Sequence, residues 1–301
     1  MTHFIDEQMS GEGMFEPVRF SEFRSITDAL LSNNLQATFI LAPLAMSLRE
    51  RGAPVRIVYL GHRDGTALMV HKDSDIETIR GLKGKTVAIP SRYSNQYLIL
   101  FKAMEDRGLS IDDLKTVEMP PPTMPAALAA NKGIDAIIAG EPIMARTQLP
   151  DAKGNPGFGR LLFITNQVWP EFISCVLAVR EDAIRDRRDD VQRLVDGIAR
   201  SGLWLDSDVN TTLNHRMMAA DFVSRHYYNY DPRLLRFVLS EPRDRVKYTN
   251  LSVQRPNFEE IEYYAKQAGI FKGTVTFDDY ADTSFVPKGR TLKPWEWEGK
   301  K

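Results

Sequence analysis

Apolar positions along the chain come in two rhythms, short unbroken runs and stripes at helical spacing, separated by loops rich in Gly, Pro, Ser and Asn. Residues 16–20 form a short apolar–polar run that predicts a strand. Residues 21–31 place Phe23, Ile26, Leu30 and Leu31 on one helical face. The run Ala37-Thr38-Phe39-Ile40-Leu41 predicts a second strand, ending at Ala42-Pro43 before a helix that reaches Arg51. Gly52-Ala53-Pro54 then turns the chain into a third run, 55–60. Strands joined by helices predict a parallel sheet with covered faces.

After Gly61-His62-Arg63-Asp64-Gly65, residues 66–70 stay extended and are expected to cross to a second unit. There the pattern restarts. The run 86–89 stops at Pro90, passes the polar loop Ser91-Arg92-Tyr93-Ser94-Asn95, and becomes a helix with Tyr97, Leu98, Phe101 and Met104 on one face. The free amides and dipole of such a helix start can hold an anion or an oxygen-rich group, or Ser91 or Ser94 can simply cap it. A strand at 116–119, a helix through Ala130 and a strand at 136–139 follow. The first unit echoes in the second: Ala29, Leu30 and Asn33 precede Ala127, Leu128 and Asn131 by 98 positions, and Pro43 precedes Pro142 by 99. Both copies read helix, turn, strand, proline, which predicts two similar α/β lobes with Pro43 and Glu141-Pro142 bordering one cleft. Strands are expected at 161–164 and 172–179, the latter returning to the first lobe. From Asp182 onward helices dominate, with Val191, Leu194, Val195, Ile198 and Trp204 forming one stripe. The segment 277–301, with Trp295 and Trp297, lacks periodicity.

Composition narrows the functional classes. A net charge of −1 without blocks of like charge argues against nucleic acid and lipid surfaces. The single cysteine, Cys175, excludes an internal disulfide and a multi-cysteine metal site. The five histidines show no metal-ligand spacing, and no nucleophile elbow or phosphate-binding loop is present, so no catalytic residue, metal or cofactor is expected. No apolar run reaches the length of a membrane span. The opening residues carry acids and no apolar signal core, which suggests a removed or truncated leader.

The stretches APLAM at 42–46, GLKGKTVAIPSRYSNQYLILFKAMEDRG at 81–108, EMPPPTMPAAL at 118–128, GEP at 140–142 and WPEFISCVLAVRE at 169–181 resemble one family. It is that of the periplasmic substrate-binding proteins of nitrate, sulfonate, taurine and bicarbonate ABC importers (NMT1/THI5-like), and the chain looks most similar to the nitrate and bicarbonate branch. The resemblance implies an α/β, type II periplasmic-binding-protein fold with two lobes joined by a two-strand hinge. Lobe 1 is expected at 1–72 and 175–301, and lobe 2 at 73–174. The family's usual first strand has no counterpart here, so the first lobe is expected to lack it. The resemblance also implies a non-enzymatic, periplasmic protein that presents a small anion or small organic solute to ABC permease and ATPase subunits.

Carried over by position, Pro43, His62 and Arg63 face the cleft from the first lobe. Ser91, Arg92, Asn95, Gln96 and Glu141 face it from the second, and Trp169 lies near the hinge. Arg63 or Arg92 could neutralise an anion, while Asn95 and Gln96 supply amide donors. Each has a plainer reading: a turn residue for His62, surface pairing with Glu105 or Asp106 for Arg92, hinge packing for Trp169. Glu141 would repel an anion unless it points away or a cation bridges them. The alternatives from other classes are a same-fold enzyme of thiamine-pyrimidine synthesis, which carries a cysteine cluster absent here, and a cytosolic ligand-sensing module.

Overall fold

The computed structural model describes residues 15–20, 23–130, 133–151, 153–206, 214–225, 230–240, 242 and 245–287. Two sheets organise these residues. Helix α1 (Phe23–Leu31) leads into β1 (Ala37–Leu41), α2 (Ala42–Glu50) and β2 (Val55–Asp64). The return strand β8 (Ile173–Arg180) lies between β1 and β2 and runs antiparallel to both, and β9 (Val246–Lys247) pairs with the far edge of β2. The parallel sheet expected from the helix-linked strands is therefore mixed. A strand that begins only at Ile173 separates β1 from β2, and local spacing carries no sign of such an insertion.

The second sheet has the order β5-β4-β6-β3-β7, formed by β3 (Thr66–His71), β4 (Thr86–Ile89), β5 (Lys115–Glu118), β6 (Ala136–Gly140) and β7 (Gly159–Ile164). Strands β4, β5 and β6 are parallel, and β3 is antiparallel to both β6 and β7. Because β3 belongs to this sheet, residues 66–71 go with it, although the sequence boundary at 72 assigned them to the first lobe. Helix α3 (Asn95–Glu105) and α4 (Met124–Ala129) pack on it. The internal echo holds at the level of elements, since α1–β1 and α4–β6 are both helix then strand. Pro43 opens α2, whereas Pro142 follows a cis Glu141–Pro142 bond in a turn. Asn131 lies outside the described residues.

Residues 16–20 form no strand, and they run along the apolar groove beside β1. The central strands are buried on both faces, which is why they read as unbroken Val/Ile/Leu runs. Two short helices, α5 (Thr165–Val168) and α6 (Glu181–Asp186), flank β8, and the C-terminal part then supplies α7 (Arg188–Asp206), which buries Val191, Leu194, Val195, Ile198 and Trp204 as its stripe predicts. It continues with α8 (His215–Val223), α9 (Pro232–Ser240) and α10 (Arg255–Gln267). A short helix, Phe277–Tyr280, gives the end of the chain some regularity, and Phe285 is buried beyond it, while Trp295 and Trp297 lie outside the described residues.

Candidate functional site

The two sheets meet end to end. In the first, Leu41 and His62 both stand opposite Cys175, so the ends of β1 and β2 and the start of β8 share one edge. In the second, Thr66 stands opposite Gly140, which puts the start of β3 at the carboxyl end of β6. The chain passes between the sheets at Gly65 and again at 165–172. These crossings clasp each other: the Thr66 amide donates to Thr165 Oγ1 at 3.1 Å, Thr165 Oγ1 donates to Thr66 O at 3.0 Å, and the Asp64 amide donates to Phe172 O at 3.0 Å. Asp64 and Gly65 both have positive φ (62° and 84°), a reversal that glycine allows without a Cβ clash. Carboxyl ends of α/β sheets are where such folds collect ligands.

Helix α3 begins at this seam, and its start is capped. Ser94 Oγ accepts the Tyr97 amide at 3.2 Å and donates to Ser91 O at 2.6 Å, so the capping reading of this loop holds. The next two side chains leave the helix toward the seam. Asn95, fully buried, donates from Nδ2 to Ser174 O across the seam at 2.6 Å, and Gln96 donates from Nε2 to Thr66 Oγ1 at 3.0 Å. Asn95 Oδ1 is buried without a hydrogen-bond partner. His62 is half-buried, its Nδ1 also lacks a partner, and its Cε1 lies 3.4 Å from where a Cβ on Gly65 would sit. Burial lowers the His62 pKa to about 4, so its ring is neutral at neutral pH. Gln96 Nε2 and Gly65 O each lie 3.9 Å from the Cβ position of Gly140. His62, Gly65, Gly140, Gln96, Asn95 and Ser174 thus form one contiguous patch.

The remaining expected residues are placed elsewhere. Arg63 is fully buried, and its guanidinium donates to Asn250 O (2.8 Å), Glu171 O (2.5 Å) and Asn257 Oδ1 (3.3 Å). Arg92 is exposed, and its amide donates to Glu118 Oε1. Ser91 serves the cap loop, and Pro43 is buried in the first turn of α2. Trp169 is hinge core: its ring lies 4.7 Å from Phe172 and 5.0 Å from Tyr264, with Lys102 Nζ 5.6 Å from its centre. Glu141 points away from the patch into a buried ion pair, Oε1 to Arg245 Nη1 at 2.5 Å, with Oε2 accepting the Ala145 amide. Burial raises the Glu141 pKa, with Arg245 drawing it back.

Arg245, Ser174 and Thr66 were missed from the sequence. Arg245 sits just before β9, its carbonyl accepts the Gly65 amide and its side chain also reaches Gln148. Nothing local in its surroundings marks it. Beside it, Ala145 from the second lobe packs with Leu234, Val238 and Val246 from the C-terminal part. Among the described residues no group of three His, Cys, Asp or Glu side chains is placed to hold a metal, and no helix is long and apolar enough to cross a membrane.

Residues 6–221 match the NMT1-like family. No curated protein matches the chain. Among solved structures, the ligand-binding component of an ABC-type import system from Staphylococcus aureus, with zinc bound, is 24% identical with a TM-score of 0.79, covering 97% of this chain and 94% of that one. The nitrate-binding protein NrtA from Synechocystis PCC 6803 is 14% identical with a TM-score of 0.76, covering 94% and 83%. The alkanesulfonate-binding protein SsuA from Xanthomonas axonopodis pv. citri, bound to MOPS, is 17% identical with a TM-score of 0.72, covering 93% and 91%. The type II periplasmic-binding fold is common to all three, and so spans more than the nitrate and bicarbonate branch.

Proposed function

Because this chain belongs to the NMT1-like family, we propose that it is the solute-binding component of an ABC-type importer. It takes a small solute at the seam between its lobes, outside the cytoplasm, and hands it to a membrane permease without chemical change. One observation carries the reading. Asn95 reaches from the start of α3 in one lobe to Ser174 on the other, yet keeps a buried acceptor unpaired at the point where both sheets end. An unsatisfied buried acceptor costs about 1–3 kcal/mol, and a bound solute that donates to it recovers much of that. Solutes that touch both lobes favour one arrangement of them, which a permease can read.

The binding reading gains further support from Cys175, the chain's single thiol. Burial pushes its pKa up to about 12, so at neutral pH it is protonated and a weak nucleophile. The test is a thermal melt across small anions, amides and aminopyrimidines, repeated with Asn95→Ala. A ligand of the folded state at about 100 times its Kd adds about 2.7 kcal/mol. A midpoint rise in the parent that Asn95→Ala reduces is the expected result. A rise that survives unchanged in Asn95→Ala places the solute elsewhere.

A further inference from the structure

Three cations and three carboxylates surround the crossing. Lys247 Nζ lies 2.6 Å from Glu171 and 3.9 Å from Asp64, Arg63 Nε lies 3.6 Å from Glu171, and Arg245 bonds Glu141 at 2.5 Å. Three against three is zero. Arg63 and Arg245 are 0% and 1% exposed, and Asp64 and Glu141 are 0% and 2% exposed. Charges this deep are retained only when matched, because the desolvation of an ion in a protein interior costs several kcal/mol. A bare anion entering this seam would bring an unmatched charge, and among the described residues these cations already hold their carboxylates. Arg92, the other basic residue expected at the cleft, is exposed, where water screens it.

Of the unpartnered buried atoms at the seam, which include His62 Nδ1 and Arg245 Nε, the amide oxygen of Asn95 points to the same chemistry. Since Asn95 gives one N–H of its amide to Ser174 O, the amide orientation is set and Oδ1 can only accept. An oxygen of nitrate or an ionised sulfonate would face it lone pair to lone pair, while bicarbonate has one O–H to offer and is disfavoured by its charge alone. An N–H or O–H group would satisfy it. The neighbouring His62 ring is neutral and adds no positive charge.

Resting on the solute-binding reading, we infer that the solute of this seam carries no net charge and donates an N–H or O–H hydrogen bond to Asn95 Oδ1. The distinction sets it apart from the nitrate and alkanesulfonate binders that share the fold.

Thermal melts and calorimetric titrations at matched ionic strength test this with named probes: nitrate, bicarbonate and methanesulfonate against urea, acetamide and cytosine. The parent protein is expected to respond saturably to an uncharged probe and to none of the anions. Asn95→Ala should weaken that response about tenfold, the loss of one hydrogen bond to a buried acceptor. Glu171→Gln removes one carboxylate at a half-exposed position, and should confer a saturable nitrate or methanesulfonate response that the parent lacks. A saturable anion response in the parent, lost in Asn95→Ala, overturns the uncharged class and leaves the binding site standing. A folded Glu171→Gln without any gained anion response overturns the charge-balance argument. Silence toward every probe overturns the solute-binding reading and this inference with it.

Discussion

Glu141 and Arg245 tie the second lobe to the C-terminal part of the chain with side chains 2% and 1% exposed. Removing one partner strands the other. Glu141→Gln leaves the Arg245 guanidinium buried with Gln148 as its remaining side-chain hydrogen-bond acceptor, and an uncompensated buried charge costs about 3–5 kcal/mol. For a chain of this size about 2 °C of melting temperature accompanies each kcal/mol, so the midpoint should fall by about 6–10 °C. Arg245→Met strands the carboxylate instead, and here pH enters. A buried carboxyl already pushed upward escapes its penalty by taking a proton, so folding is penalised as pH rises above the unfolded Glu value of about 4.3, and the penalty fades below it. The loss in Arg245→Met should thus shrink from pH 7 to pH 5, whereas the loss in Glu141→Gln should not. The double variant Glu141→Gln/Arg245→Met removes both charges and should regain about 2–4 kcal/mol of the summed single losses. Urea unfolding of all four proteins at both pH values measures the cycle. Singles within about 1 kcal/mol of the parent and strictly additive would refute a matched buried pair.

Three further outcomes are expected. Trp169→Ala should cost about 3–5 kcal/mol in urea unfolding, because its ring is 3% exposed and packed on Phe172 and Tyr264; a loss below about 1 kcal/mol would mean that the ring walls an open cleft. For His62 the folded pKa of about 4 lies below the unfolded value of about 6.5, so the unfolded chain takes a proton that the folded one refuses. Stability should therefore fall as pH drops from 6.5 to 4, by at most about 1.4 kcal/mol per unit, and His62→Gln should flatten that slope. Cys175, half-buried and with its thiol pushed up to about 12, should react with iodoacetamide at pH 8 more slowly in the native protein than in urea; equal rates would contradict the upward shift.

Much of the element order was legible in the sequence because it depends on neighbours a few residues apart. The helical stripe of α7, the capped start of α3 and the helix–strand echo at 98-residue spacing all follow from local periodicity. The polar loop before Asn95 and Gln96 was legible for the same reason, since a strand's end and a helix's start bracket it, while the expectation that these two side chains face the cleft rested on the family resemblance. Hinge packing was among the readings open for Trp169, but the role of Arg63 and the partners of both residues were not readable. A side chain's partners are set by what packs against it, and those partners, Asn250 and Asn257 for Arg63 and Tyr264 for Trp169, lie 95 to 194 positions downstream.

By itself the sequence determined two α/β units, a crossing near Gly65 and a polar loop leading into a helix, because hydrophobic period and turn chemistry act over single elements. Only the tertiary structure decided that β8 divides β1 from β2, that β3 joins the second sheet, and that the charges at the seam cancel. Strand insertion and charge matching are contacts between distant segments. Their energies depend on burial and distance, and neither exists until the chain has closed on itself.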